Sequence, residues 1–204
     1  MMLSSIIPDQ LKEILPSLES ALKDSPGAQS AFRKIAASVS RAPNLKTDLM
    51  AGHADVVTLC GQLGIPMTDT KPEQGFSWNG KEVAIQTETA VLLHEIAHWQ
   101  ICPRARRGLP DFGLGAGPET GLKAEANAAA IVDAATQERE EDLASLLGVL
   151  WEAYLGGPAI IAFCEQNWLE LYDRPGTVAH FVSVYEDLRA RGLIDRGGCP
   201  AVAT

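Results

Sequence analysis

The chain contains the stretch Thr89-Ala-Val-Leu-Leu-His-Glu-Ile-Ala-His-Trp99, which predicts a buried helix at the centre of the fold. His94 and His98 are four residues apart, and this spacing places two side chains on the same face of an α-helix. The two imidazoles can then bind one divalent metal ion, with Glu95 near the open side of the ion. The apolar residues before His94 favour burial of this helix, so the histidines are expected to face an interior cleft.

Two histidines do not complete a metal site, and a third protein ligand is expected further along the chain. We expect Glu125 to supply it, because this residue lies early in an alanine-rich stretch that allows close packing on the helix of the histidines. Glu119 and Asp111 are the alternatives in the intervening loop. Cys102 follows His98 by four residues, but Pro103 disfavours helical geometry there, so we interpret Cys102 as a core thiol at the end of the helix.

The composition restricts the functions that the chain is expected to perform. It has 204 residues, 46% of them hydrophobic, which is enough for a substantial core. The net charge of −9 argues against nucleic acid as a partner, and the most basic run, Arg104 to Arg107, is too short to indicate binding to an anionic membrane. The four cysteines have no paired spacing, which indicates a reduced, cytoplasmic protein.

The pattern of apolar residues predicts a mainly α protein with a small β-hairpin, an α+β fold. The core around the His-Glu-x-x-His helix resembles that of zincin-type metalloenzymes. Helical segments are predicted within residues 8–64 and over 122–135, 140–155, 158–172 and 176–191. Phe76 to Ile85 predicts the hairpin, with Asn79-Gly80 at its turn. We expect an N-terminal helical lobe over 1–66 and a catalytic domain over 67–204, or one compact domain that contains both.

The residues after the histidines resemble those of a known family. His94-Glu-Ile-Ala-His-Trp99 is followed by Ile101, by Arg106-Arg107 and by Asp111-Phe112-Gly113. This order is similar to that of the elongation factor P hydroxylase family, which carries a His-Glu-x-x-His-Trp motif, a pair of arginines and an Asp-Phe-Gly. The likeness covers about twenty residues, and a generic zinc peptidase needs neither the tryptophan nor the arginines.

The resemblance implies a cytoplasmic, non-haem metal oxygenase that hydroxylates a lysine-derived side chain on a translation factor. It implies one divalent ion, Fe(II) in preference to Zn(II), held by His94, His98 and a carboxylate that corresponds to Glu125. Two histidines and one carboxylate also form the ligand set of oxygen-activating iron. We expect Trp99, Arg106, Arg107 and Asp111 to contact the substrate.

Two other functions fit the same motif. In a zinc metallopeptidase Glu95 is the base that deprotonates the attacking water. In an immunity or regulatory protein without enzymatic activity the ion is structural, and four protein ligands close the site.

Overall fold

The computed structural model describes residues 8–42, 48–170 and 172–202. The predicted domains 1–66 and 67–204 each include some residues outside these ranges. The described part is mainly helical, as predicted, with one small sheet. None of its helices combines the length and the apolar character needed to cross a bilayer.

The described residues form eight α-helices and two short strands. In chain order they are α1 (Pro8–Ala21), α2 (Pro26–Ala37), α3 (His53–Leu63), β1 (Met67–Thr68), β2 (Val83–Ala84), α4 (Thr89–Ile101), α5 (Lys123–Ala128), α6 (Ala134–Tyr154), α7 (Ile160–Glu165) and α8 (Pro175–Ala190). Short 3-10 turns cover Ser38–Arg41, Pro72–Gln74, Arg104–Arg106 and Pro110–Gly113.

The chain divides into two compact units whose bounds differ from the predicted ones. One unit lies within Met1–Asp48 and Val149–Ala201, and the other within Leu49–Gly148 and Val202–Thr204. In the first unit α2 packs against α7 and α8, and in the second α3 packs against α4. Residue 66 lies inside the second unit, and the domain division at that residue stays a prediction. The last helices therefore belong with the first ones rather than with the histidine motif.

The first unit, which contains α1, α2, α7 and α8, is built around aromatic side chains. Phe32, Phe163 and Phe181 are almost completely buried, and their ring centroids lie 6.0 to 6.2 Å apart. The buried Ser38 hydroxyl accepts a hydrogen bond from the backbone N–H of Ile160 at 2.8 Å, which ties the end of α2 to the start of α7. This core contains none of the residues predicted to bind metal.

The other unit carries the only sheet within the described residues. β1 pairs with β2 in parallel, with Met67 opposite Val83 and Thr68 opposite Ala84. The predicted hairpin is reduced to a single antiparallel bridge between Trp78 and Val83 across the Asn79-Gly80 turn. Val83 takes part in both pairings, with Trp78 in the antiparallel bridge and with Met67 in the parallel sheet.

The alanine-rich segment 122–135 is not one helix. α5 ends at Ala128, and the next residues turn so that the N–H of Ile131 donates to the carbonyl of Gly113 at 3.0 Å. The side chain of Asp133 then accepts a hydrogen bond from the N–H of Thr136 at 2.8 Å, as an N-cap residue does. This cap begins α6 at Ala134, six residues earlier than the sequence pattern predicted.

Candidate metal centre

The helix α4 carries both histidines, and its sequence explains where it begins and ends. It starts at Thr89, whose backbone N–H donates to the carbonyl of Leu49 at 2.9 Å. It ends at Ile101, and the next residue, Cys102, adopts an extended conformation (φ −63°, ψ 129°) because Pro103 follows. Leu92, Leu93 and Ile96 are buried, so the helix lies inside its unit as predicted.

His94, His98 and Glu141 form a group that could hold a metal ion. The Nε2 atoms of His94 and His98 are 2.9 Å apart, and the Oε2 atom of Glu141 lies 3.3 Å from the first and 3.4 Å from the second. An ion about 2.1 Å from three ligand atoms separates those atoms by about 3.0 Å in octahedral geometry and about 3.4 Å in tetrahedral geometry. The three observed distances, 2.9, 3.3 and 3.4 Å, lie within about 0.1 Å of this range, so the group fits a divalent ion.

The group is open on one side. The His98 side chain is only 5% exposed, but those of His94 and Glu141 are 24% and 45% exposed. Among the described residues, no fourth histidine, cysteine or carboxylate belongs to the group. Three protein ligands with solvent access are the arrangement of a catalytic site, whereas structural zinc sites have four.

The third member of the group, Glu141, comes from α6, which approaches α4 closely at Gly148. A side chain at Gly148 would place its Cβ atom 3.3 Å from both the N and the Cα atom of His94. Glu141 precedes Gly148 by seven residues, two helical turns, and therefore lies on the same face of α6. The glycine thus lets α6 come near enough for the Glu141 carboxylate to reach the two imidazoles.

The charges of the group favour a cation between its members. Burial raises the pKa of Glu141, but hydrogen bonds and the charges of both histidines outweigh burial and hold this pKa well below its usual range. Burial lowers the pKa of His94, and the neighbouring His98 lowers it further. Burial also lowers the pKa of His98, but the hydrogen bond to Glu141 and the charge of Glu141 outweigh burial, so this pKa is raised. A carboxylate that is ionised across the whole neutral range is therefore available to a metal.

Glu95 lies beside the group without belonging to it. Its side chain is buried, and burial raises the pKa of the carboxyl group to about 8. The positive charge of His98 opposes this rise, while the carboxyl groups of Asp111, Glu141 and Glu119 add to it. A carboxyl group whose pKa lies near neutrality can both accept and donate a proton under physiological conditions.

Arg106 connects the loop after α4 to the helix of the third ligand. Its Nη2 atom donates to the two carboxylate oxygens of Glu140 at 2.5 and 2.6 Å, and its Nη1 atom donates to the carbonyl of Phe112 at 3.1 Å. The side chains of Arg106 and Glu140 are each 11% exposed. Since Glu140 directly precedes Glu141, this ion pair fixes the part of α6 that carries the ligand.

The Asp111-Phe112-Gly113 segment forms a left-handed turn next to His98. Asp111 (φ 41°, ψ 43°) and Phe112 (φ 55°, ψ 18°) both adopt a conformation that costs a non-glycine residue about 1–3 kcal/mol. Hydrogen bonds to the Asp111 carboxylate stabilise the turn, from the N–H of Trp78 at 3.2 Å and from the hydroxyl of Thr120 at 2.7 Å. The turn places the buried Phe112 ring against His98, with centroids 5.7 Å apart.

Arg107 and Trp99 contact each other. The guanidinium of Arg107 lies 3.7 Å from the centroid of the Trp99 ring, as in a cation–π interaction. The Nε atom of Arg107 also donates to the carbonyl of Cys102 at 3.3 Å. Arg106 and Asp111 also contact other residues of the protein. Each of the four residues that we expected to contact the substrate therefore has a partner within the protein.

The expected third ligand is not part of the group. Glu125 is exposed on the short helix α5, and Glu141 takes the position predicted for it. Asp111 is engaged by Trp78 and Thr120, and the Sγ atom of Cys102 donates to the carbonyl of Pro103 at 3.4 Å.

Glu141 was missed because it lies in a run of charged residues that resembles an exposed helix surface. Gly148, seven residues after Glu141, is the signal in the sequence that indicates a close approach of this face of the helix to another element.

A cleft of about 510 Å³ runs beside the first turns of α4. It includes Val91, one turn before His94, and Glu119, whose charge acts on both His94 and Glu95. Four acidic side chains and one lysine line it, so the cleft is negatively charged. Its lining residues are Met50, His53, Asp69, Lys71, Glu73, Ile85, Gln86, Thr87, Glu88, Val91 and Glu119.

We compared the chain with models of known protein families, with curated proteins and with solved structures, and it matches none of them.

Proposed function

We propose that the protein is a metal-dependent hydroxylase, an oxidoreductase that oxygenates a lysine-derived side chain of a protein. The observation that carries the proposal is the open group of His94, His98 and Glu141. Two imidazoles and one carboxylate on one side of an ion form the ligand set of non-haem iron oxygenases, and this set favours Fe(II) as the native metal. The motif residues shared with the elongation factor P hydroxylase family support the same reaction, with a translation factor as the substrate.

The acidic cleft supports an amine as the recognised group. Its charged lining has an excess of carboxylates, and Glu119 extends this negative charge to the metal group. An ammonium group on a flexible aliphatic chain would find carboxylates there, and apolar contact with Ile85 and Val91. The cleft therefore favours a lysine-derived side chain over an acidic substrate.

The reaction of a hydroxylase has a defined balance. One atom of dioxygen enters a carbon–hydrogen bond of the substrate as a hydroxyl, and the other leaves as water with two protons and two electrons from an external reductant. The ion supplies the site for oxygen activation. His94, His98 and Glu141 hold it, the carboxyl group of Glu95 accepts or donates a proton beside it, and the cleft orients the substrate amine.

A second candidate, a zinc-dependent hydrolase, is favoured by Glu95. A buried carboxyl group with a raised pKa directly after the first histidine is the general base of zinc peptidases with this motif. The ligand set of two histidines and a glutamate also occurs in zinc peptidases. This candidate predicts cleavage of peptides by the zinc-loaded protein without oxygen.

The four cysteines support the cytoplasm as the compartment, since all of them are free thiols. A protein substrate in the same compartment is then accessible without transport.

The test begins with elemental analysis of protein purified without added metal. The protein is then loaded anaerobically with Fe(II) and mixed with a lysine-rich peptide, a reductant and oxygen. We expect oxygen uptake and a mass gain of one oxygen atom on the peptide, both lost in Glu141→Gln and retained in Glu125→Gln. Peptide cleavage by the zinc form, with no oxygen incorporated by the iron form, would show that the hydrolase is correct instead.

A further inference from the structure

His98 lacks the contact that normally orients a metal-binding histidine. Its Nε2 atom belongs to the metal group, but its Nδ1 atom is buried and has no hydrogen-bond partner among the described residues. At most protein metal sites this second nitrogen donates to a carboxylate or a carbonyl oxygen, and the hydrogen bond fixes the plane of the ring. Another contact must therefore fix the ring of His98.

The ring face of Phe112 provides such a contact. The centroids of Phe112 and His98 are 5.7 Å apart and their planes differ by 26°. Phe112 also stacks on Trp78, with centroids 5.3 Å apart and planes that differ by 6°. Phe112 and Trp78 are 1% and 3% exposed, so the three rings form a continuous buried stack.

The backbone around Phe112 holds the stack rigidly. Phe112 and Asp111 both have a positive φ, which residues other than glycine rarely adopt. Asp111 and Trp78 exchange two hydrogen bonds, from the Asp111 N–H to the Trp78 carbonyl at 2.8 Å and from the Trp78 N–H to the Asp111 carboxylate at 3.2 Å. Arg106 donates to the carbonyl of Phe112 itself. A strained turn with this many restraints indicates that the position of its side chain matters.

We propose that Phe112 is a positioning residue of the metal centre, and that its ring fixes the orientation of the His98 imidazole in place of a hydrogen bond to Nδ1. The inference rests on the metal site of the proposed function and not on the reaction performed there. In this proposal the Asp111-Phe112-Gly113 segment orients a metal-binding residue and does not contact the substrate.

The test measures binding of Co(II) alone, by competition with a chromophoric chelator and by the visible absorption of the bound ion. Phe112→Leu removes the ring but keeps an apolar side chain. Phe163→Leu is the matched control, because Phe163 is equally buried in the other compact unit. We expect Phe112→Leu to bind Co(II) about 10- to 100-fold more weakly, with a changed absorption spectrum. Phe163→Leu should lower the melting temperature but leave affinity and spectrum unchanged.

Two further variants keep the test decisive. If Phe112→Leu does not fold, Phe112→Met fills the space with a flexible side chain and gives the same comparison. Phe112→Tyr keeps the aromatic face and should restore the affinity. Equal affinity and spectrum in the Phe112→Leu variant and the unaltered protein would overturn this inference alone. Failure of the unaltered protein to bind Co(II) would overturn it together with the proposed function.

Discussion

Arg106 donates two hydrogen bonds from its Nη2 atom to the carboxylate of Glu140, the residue directly before the candidate ligand Glu141. The same guanidinium donates to the carbonyl of Phe112, whose ring contacts His98. The Arg106 side chain therefore contacts residues that support two of the three candidate metal ligands, Glu141 and His98. Arg106 is one of the residues that the sequence analysis expects to contact the substrate.

Arg106→Lys should weaken metal binding. A lysine has one nitrogen and cannot donate to Phe112 and to both oxygens of Glu140 in the same geometry. We expect a loss of about 10- to 100-fold in zinc affinity, as for other supporting residues of metal sites. Competition with a zinc chelator measures it. Arg33→Lys, which alters an exposed ion pair with Glu19, is the control and should have no effect.

Glu141→Gln should abolish tight metal binding, whereas Glu125→Gln should not change it. The first substitution removes the negative charge from the ligand group, and the second alters an exposed residue of α5. Elemental analysis of the two purified variants measures the difference. Loss of metal from Glu125→Gln with retention in Glu141→Gln would refute the ligand set described here.

Glu95→Gln should retain the metal and lose activity. Glu95 is not in the ligand group, so stoichiometric metal is expected, but glutamine cannot exchange the proton that a carboxyl group exchanges. We expect a fall in kcat of about 100-fold or more, in the range of general acid–base catalysis. Activity and metal content are measured on the same preparation. An unchanged kcat would exclude Glu95 from the reaction.

Gly148→Ala should weaken metal binding without unfolding the protein. The new Cβ atom would lie 3.3 Å from the backbone of His94, so α6 must shift by a few tenths of an ångström. We expect a several-fold loss of zinc affinity and none of the stabilisation of about 0.5–1 kcal/mol that alanine usually brings to a helix. Gly61→Ala in α3 is the control, because nothing lies within 4 Å of its added Cβ atom. Thermal unfolding and chelator competition distinguish the two variants.

Glu152 should make the protein less stable as the pH rises. Burial raises the pKa of its carboxyl group from 4.5 to about 7, and the charge of Glu165 adds to the rise. Between these two values the folded protein binds a proton that the unfolded chain has lost, so stability falls across this window. The total loss is about 3 kcal/mol. The loss of stability between pH 4.5 and 7.5 should be smaller by this amount in Glu152→Gln, which leaves the contribution of Glu95 in place, and unchanged in Glu186→Gln. Urea unfolding at pH 4.5, 6 and 7.5 measures it.

The sequence predicted the parts of the centre that depend on local spacing. His94 and His98 lie on one buried helix, as four-residue spacing and the preceding apolar residues indicate. The mainly helical class was predicted for the same reason, since each helix has its own periodic pattern. The small sheet was predicted as a hairpin because the Asn79-Gly80 turn is local, whereas the pairing of β2 with β1 is not.

The third ligand could not be predicted from local pattern. Glu125 was favoured by its alanine-rich surroundings, but the helix there ends at Ala128 and Asp133 caps a new one. Which face of α6 meets α4 depends on packing at Gly148, and a single sequence does not show that contact. The supporting residues Arg106 and Phe112 belong to a recognisable sequence motif, but their partners Glu140 and His98 lie on other elements of the unit.

The candidate metal ligands come from two helices, α4 and α6, that are separated by a long segment of chain containing the short helix α5. An ion that holds α4 and α6 together closes the intervening chain into a ring and adds its binding energy to that of folding. Removal of the ion by a chelator should therefore expose this segment to proteases. The amount of intact protein would then follow the supply of the metal, so that starvation for the ion removes the protein along with its activity.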